Sequence, residues 1–148
     1  MSAAGKALRI LVADDNRDAA DRLAVLLKWW GHEVRVAYDG ISALQTARHF
    51  LPDVALLDFE MPWLNGGEVA SRLRTVPGQA QLVVIATTAT AIEDIRLAGY
   101  ESVFDACLIK PYNLNRLEQL VADIPRGTEQ LAYQIADQLM KVRENPTR

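Results

Sequence analysis

An open parallel α/β sheet with helices on both faces is the fold this sequence predicts. Three observations carry it. Short apolar runs of strand type alternate five times with longer amphipathic segments. The third and fourth runs show no polar alternation, as in central strands buried on both sides. The second run does alternate, which suits an edge strand.

The first run, residues 8–13, leads into an amphipathic segment over 17–30. Ala20, Leu23, Ala24 and Leu27 fall there at helical spacing, and Gly31 is a plausible stop. The second run, 33–37, is followed by a helical pattern over 41–50. The third, 54–57, precedes one over 66–74, and the fourth, 82–86, precedes one over 92–98. The fifth, 104–109, leads to a last pattern over 114–124. Beyond Ile124 the pattern changes. Pro125, Arg126, Gly127 and Thr128 form a breaker, and Thr128 is placed to cap a further helix. Leu131, Ile135 and Leu139 would line one side of it, with Ala132, Ala136 and Met140 beside them. Such a stripe has to bury against something, its own domain or a second copy of the chain. The expected organisation is therefore one domain over residues 1–124 and a C-terminal extension, an extra helix and frayed tail, over 125–148.

Composition narrows the function classes. With 148 residues, 50% of them hydrophobic and 24% charged, the chain can bury a core without disulfides. The net charge of -3 argues weakly against sequence-independent binding to a nucleic-acid backbone, and residues 125–148 do not read as a DNA-binding module, so no direct nucleic-acid contact is expected. The single cysteine, Cys107, has no internal partner, which fits a reducing, cytoplasmic compartment. The start of the chain does not resemble a signal peptide, and no apolar stretch approaches the ~20 residues that span a bilayer.

Ligands of an open parallel sheet bind at the carboxyl ends of its strands. Asp14 and Asp15 follow the first run, Asp58 the third, Thr87 and Thr88 the fourth, and Lys110 and Pro111 the fifth. For these groups to meet, the first, third and fifth strands are expected to be neighbours, and a strand order of 2-1-3-4-5 is expected to provide that. Three carboxylates so gathered repel, and a metal, raised pKa values or both must offset that. Hard oxygen donors with little His or Cys nearby point to Mg2+. An aspartate can act as a nucleophile toward phosphorus, and phosphoryl transfer demands charge neutralisation above all. Lys110 and a Thr88 hydroxyl would add to it. Taken alone, Asp14 and Asp15 equally suit a cap on the first helix.

These pieces together resemble the response-regulator receiver family, from about Leu8 to Ile124. The resemblance rests on Ile10 to Asn16, on Asp53 to Pro62 with Gly66 after it, on Val84 to Ala89, and on Leu108 to Pro111. It implies a flavodoxin-like, doubly wound five-stranded sheet of order 2-1-3-4-5. It implies that Asp58 is the phosphoacceptor. Asp15, Asp58 and the backbone carbonyl of Glu60 would ligate Mg2+, with Asp14 helping through water. Lys110 would pair with the acyl phosphate. Thr88 rather than Thr87 would be the switch hydroxyl, because the small Ala89 follows it. Glu60 and Thr90 fall where the family tunes its own dephosphorylation. Cys107 stands where the family often carries a switching aromatic, and Tyr112 where an aromatic is common.

By the same resemblance the expected partner is a histidine kinase or a histidine phosphotransfer protein. Output would be through phosphorylation-dependent protein contacts with an unidentified target, with a homodimer through the C-terminal helix as one form. A phosphorelay intermediate or phosphate sink is the alternative within the class. The chain would be a signalling receiver and not a general enzyme. A haloacid-dehalogenase-type hydrolase also uses an aspartyl nucleophile and Mg2+, but opens with its nucleophile on the first strand and places the acid pair late. Here the order is reversed. A flavin-binding domain of this sheet order would want a glycine- and hydroxyl-rich loop after the first strand, where Asp14 and Asp15 would repel a phosphate.

Overall fold

The computed structural model describes residues 7–79, 81–89 and 91–124. Among the described residues, five strands, β1 (Arg9–Ala13), β2 (Glu33–Ala37), β3 (Val54–Asp58), β4 (Val83–Thr88) and β5 (Ala106–Ile109), alternate with five helices. The helices are α1 (Arg17–Trp29), α2 (Gly40–Phe50), α3 (Gly66–Leu73), α4 (Ile92–Leu97) and α5 (Leu114–Ala122). The sheet is parallel throughout and runs β2-β1-β3-β4-β5. That is the predicted order, but of the three strands expected side by side only β1 and β3 are neighbours, because β4 stands between β3 and β5.

Strand periodicity divides the core in two. Ile10, Val12, Val54, Leu56, Val83 and Ile85 point to one face and bury against Ala24 and Leu27 of α1 and Leu117 and Val121 of α5. Leu11, Ala13, Ala55, Leu57, Val84 and Ala86 point to the other, against Ala43 and Ala47 of α2 and Val69 and Leu73 of α3. Every residue of β3 and β4 is buried, which is why those runs show no polar alternation. A fully buried leucine such as Leu57 contributes roughly 1.5–3 kcal/mol of transfer free energy. Chain direction sets the faces. The crossover through α1 moves one way from β1, and those through α2, α3 and α4 move the other. Right-handed crossovers then put α1 on one side and α2, α3 and α4 on the other, and leave a crevice where the direction reverses, between β1 and β3.

Helix starts follow local chemistry. Asn16 caps α1 by accepting the Ala19 N–H, and Asp39 caps α2 by accepting that of Ser42. Asn65 and Glu68 form a reciprocal capping box at α3. Helix α1 stops as expected: its last turn runs into Gly31, whose φ of 101° few other residues tolerate. A short 3-10 turn, Glu101–Val103, precedes β5 and was not foreseen. The extra helix expected within 125–148, and with it the homodimer contact, lies outside the described residues, as does Thr90.

Candidate functional site

The crevice gathers the chemistry-bearing residues. Asp14 follows β1 directly, Asp58 is the last residue of β3, Thr88 the last of β4, and Lys110 follows β5. Thus Asp58 and Thr88 sit inside their strands, held by the ladder, where the sequence suggested positions just past them. Asp14, Asp15 and Asp58 each offer a carboxylate oxygen within 4.8 Å of the others. Asp14 and Asp58 are buried and Asp15 is exposed. The capping alternative falls to Asn16, which caps α1 itself and donates its own N–H to Asp14 Oδ1 at 2.9 Å.

Lys110 bridges the two buried acids. Its Nζ lies 3.1 Å from Asp14 Oδ2 and 3.4 Å from Asp58 Oδ1. The Glu60 backbone N–H donates to Asp58 Oδ1 at 3.3 Å. These contacts do not balance the site. Burial first, then the Asp14 charge, push the Asp58 carboxyl up from 3.8 to about 7, against the opposing pull of Lys110 and the Glu60 amide. Burial pulls the Lys110 ammonium down, but its hydrogen bond to Asp14 and the charges of Asp58 and Asp14 outweigh this and hold it above its usual value. Three carboxylates against one ammonium leave the crevice short of positive charge. A hard divalent cation suits that deficit and that all-oxygen donor set, so the residues fit Mg2+.

The two threonines diverge because neighbours on a strand face opposite ways. Thr87 lines a cavity of about 270 Å³ with Asp14, Leu56, Lys110 and Tyr112, on the α1 and α5 side. Thr88 turns to the other side, where its hydroxyl donates to Glu60 Oε2 at 2.7 Å. Cys107 is buried in the core beneath that side and forms no disulfide. Tyr112 is half-buried against the α1 and α5 core.

Two residues that carried the resemblance, Asn16 and Gly66, were given no role by sequence reading. Asn16 orients Asp14, and an Asn directly before a helical pattern is a cap signal that could have found it. Gly66 opens α3 so close to the site that a Cβ there would stand 2.7 Å from the Asp58 carbonyl oxygen and 2.8 Å from Phe59 Cα. Trp63, in the same loop, is exposed with φ 67°.

A family model of the response regulator receiver domain matches residues 10–122. The chain belongs to this family. Its receiver is similar to the transcriptional regulatory protein PrrA of Mycobacterium tuberculosis, 37% identical over 109 residues that make up 74% of this chain and 46% of PrrA. It is 30% identical over 123 residues to the DNA-binding dual master transcriptional regulator RpaA of Synechocystis, covering 83% of this chain and 51% of that one. Among solved structures, the response regulator TrrA of Thermotoga maritima in complex with Mg(2+)-BeF matches with a TM-score of 0.65 and 30% identity, over 76% of this chain and 95% of TrrA. The chain spans about half the length of the curated relatives it matches.

Two-component receivers are signalling domains, and the acidic pocket of Asp14, Asp15 and Asp58 is consistent with phosphorylation and Mg2+ binding. The expectation of no direct nucleic-acid contact is overturned, because the relatives are transcriptional regulators and RpaA is DNA-binding by name. The expectation rested on a net charge of -3 and on no DNA-binding module being read in residues 125–148. Net charge over a receiver reports on the receiver's own surface, whereas about half of each relative's length lies outside the match. Among the described residues, no helix is long and apolar enough to cross a membrane.

Proposed function

We propose that this receiver accepts a phosphoryl group on Asp58 from the phosphohistidine of a histidine kinase or phosphotransfer protein. The observation that carries the reading is Lys110 Nζ held between the buried carboxylates of Asp14 and Asp58. A carboxylate oxygen of Asp58 attacks phosphorus, the phosphorus–nitrogen bond breaks, and the donor imidazole leaves with the electron pair. Asp14, Asp15, Asp58 and the Glu60 carbonyl are the groups that would hold Mg2+. When bound, Mg2+ supplies charge neutralisation for the transferring phosphoryl oxygens. Lys110 exchanges its bond to Asp58 for one to the new phosphoryl group and keeps Asp14 as its anchor. The Thr88 hydroxyl donates to a phosphoryl oxygen.

The added charge then biases the receiver between two arrangements. Cys107, a buried thiol, offers no ring to swing, so Thr88 carries the switch. The receiver domain is assigned to residues 1–124, with 125–148 as an extension, and the setting is cytoplasmic. Similarity to transcriptional regulators supports an output in gene regulation, reached by contacts that change on phosphorylation. Incubation with Mg2+ and acetyl phosphate, followed by intact mass, tests the chemistry. The wild-type protein is expected to gain one phosphoryl mass. Chelation of Mg2+ or Asp58→Asn should each remove it. Labelling that survives in Asp58→Asn would overturn the assignment.

A further inference from the structure

Glu60 meets the crevice twice. Its backbone N–H reaches Asp58, and its side chain, from an exposed loop position, turns back over the end of β4. There one carboxylate engages two consecutive donors. Oε2 accepts the Thr88 hydroxyl at 2.7 Å, and Oε1 accepts the Ala89 backbone N–H at a longer 3.4 Å. Thr88 is completely buried, so its hydroxyl needs a partner, and a charged acceptor is the strongest kind. A hydroxyl has one proton to give and serves one acceptor at a time.

We propose that the Glu60 carboxylate is an internal competitor for the phosphoryl group: it occupies the Thr88 hydroxyl and the Ala89 amide that an anion on Asp58 would recruit. This rests on the reading of Asp58 as phosphoacceptor. A phosphoryl oxygen and a carboxylate oxygen are acceptors of the same class, and both are negative. They cannot share the donors and they repel each other, so arrival of the phosphoryl group turns Glu60 out. An exposed side chain regains water as it leaves, which offsets part of the lost hydrogen bonding. Glu60 is thus a positioning residue that acts through Thr88. It lowers the population of the phosphorylation-ready arrangement in the unmodified protein, and the apparent affinity for a phosphoryl-like anion falls with that population.

Beryllofluoride binding at saturating Mg2+ measures the effect without turnover. Glu60→Ala should tighten it about tenfold, equivalent to about 1.4 kcal/mol. Glu60→Gln, which keeps a neutral acceptor on Thr88, should fall between. The same comparison in a Thr88→Val background separates competition from loss of a nearby negative charge. Competition predicts that most of the gain disappears there; an equal gain in both backgrounds overturns the proposal. In the metal-free protein, Glu60→Ala should also move the Ala89 amide resonance, and an unmoved resonance would exclude the contact. A wild-type protein that binds no beryllofluoride with Mg2+ removes the Asp58 reading and the competitor together. Normal wild-type binding that Glu60→Ala leaves unchanged removes the competitor alone.

Discussion

At the amino end of the sheet Asp105, about a third exposed, accepts the Val84 N–H at 2.8 Å and Arg74 Nη2 at 2.9 Å. The same guanidinium donates to the carbonyls of Leu82 and Val103, so one side chain ties α3 to the starts of β4 and β5. Nearby, Asp53 accepts the Arg9 N–H at 2.8 Å. At the carboxyl end, Asp58 is 4% exposed, has Asp14 for a neighbour and shares one lysine with it. Identical carboxylates do opposite work. Where the charge meets amide donors, and for Asp105 a cation as well, in good geometry, the acid is a staple. Where acids outnumber cations in a crevice, the fold carries an electrostatic cost that a ligand can relieve.

The comparison breaks most readily through Arg74. Arg74→Leu keeps the apolar stem but strands Asp105 and two carbonyls, and should cost about 2–3 kcal/mol in urea unfolding at neutral pH. A loss below about 0.5 kcal/mol would show that the amino end is no better compensated than the surface.

The second test has the opposite sign. The folded protein holds the Asp58 proton up to about pH 7, whereas the unfolded chain releases it near 3.8. Wild-type stability without divalent metal should therefore decline as pH rises through that window and level off above it. Asp58→Asn in chelator should be more stable than wild type by on the order of 2 kcal/mol at pH 8, with the gain vanishing near pH 4. Stabilisation that persists unchanged at pH 4 would trace to packing and not to charge.

The smallest effect belongs to the sheet edge. Glu33 on β2 faces Arg9 and Arg35 at 3.8 Å, with all three side chains about half exposed. Glu33→Gln should change stability by no more than about 0.5 kcal/mol, less still in high salt. This sharpens the contrast, since it shows what an ion pair contributes when neither end of the sheet encloses it.

The fold was legible because burial on two faces writes itself into composition. Val54 to Leu57 and Val83 to Ala86 can be continuous apolar runs only if helices cover both sides. The site was legible in outline because Asp14, Asp58, Thr88 and Lys110 fall at the ends of such runs. What stayed hidden were contacts with no local signature. Glu60 and Thr88 are 28 residues apart, and Arg74 and Asp105 are 31 apart. Neither pair differs by residue type from ordinary solvated groups. Net charge misled for a related reason: it sums over a surface and is blind to what lies beyond it.

The sequence by itself determined the alternation of elements and the set of residues delivered to the strand ends, since hydrophobic period and strand ends are local properties, while the sheet order was implied by the family resemblance. Only the tertiary structure decided which acid is a staple and which is strained, which threonine meets Glu60, and why Gly66 must lack a side chain against the Asp58 carbonyl. Those outcomes depend on distance, burial and the direction a side chain faces, and such quantities exist only once segments far apart in the chain share the same few ångströms.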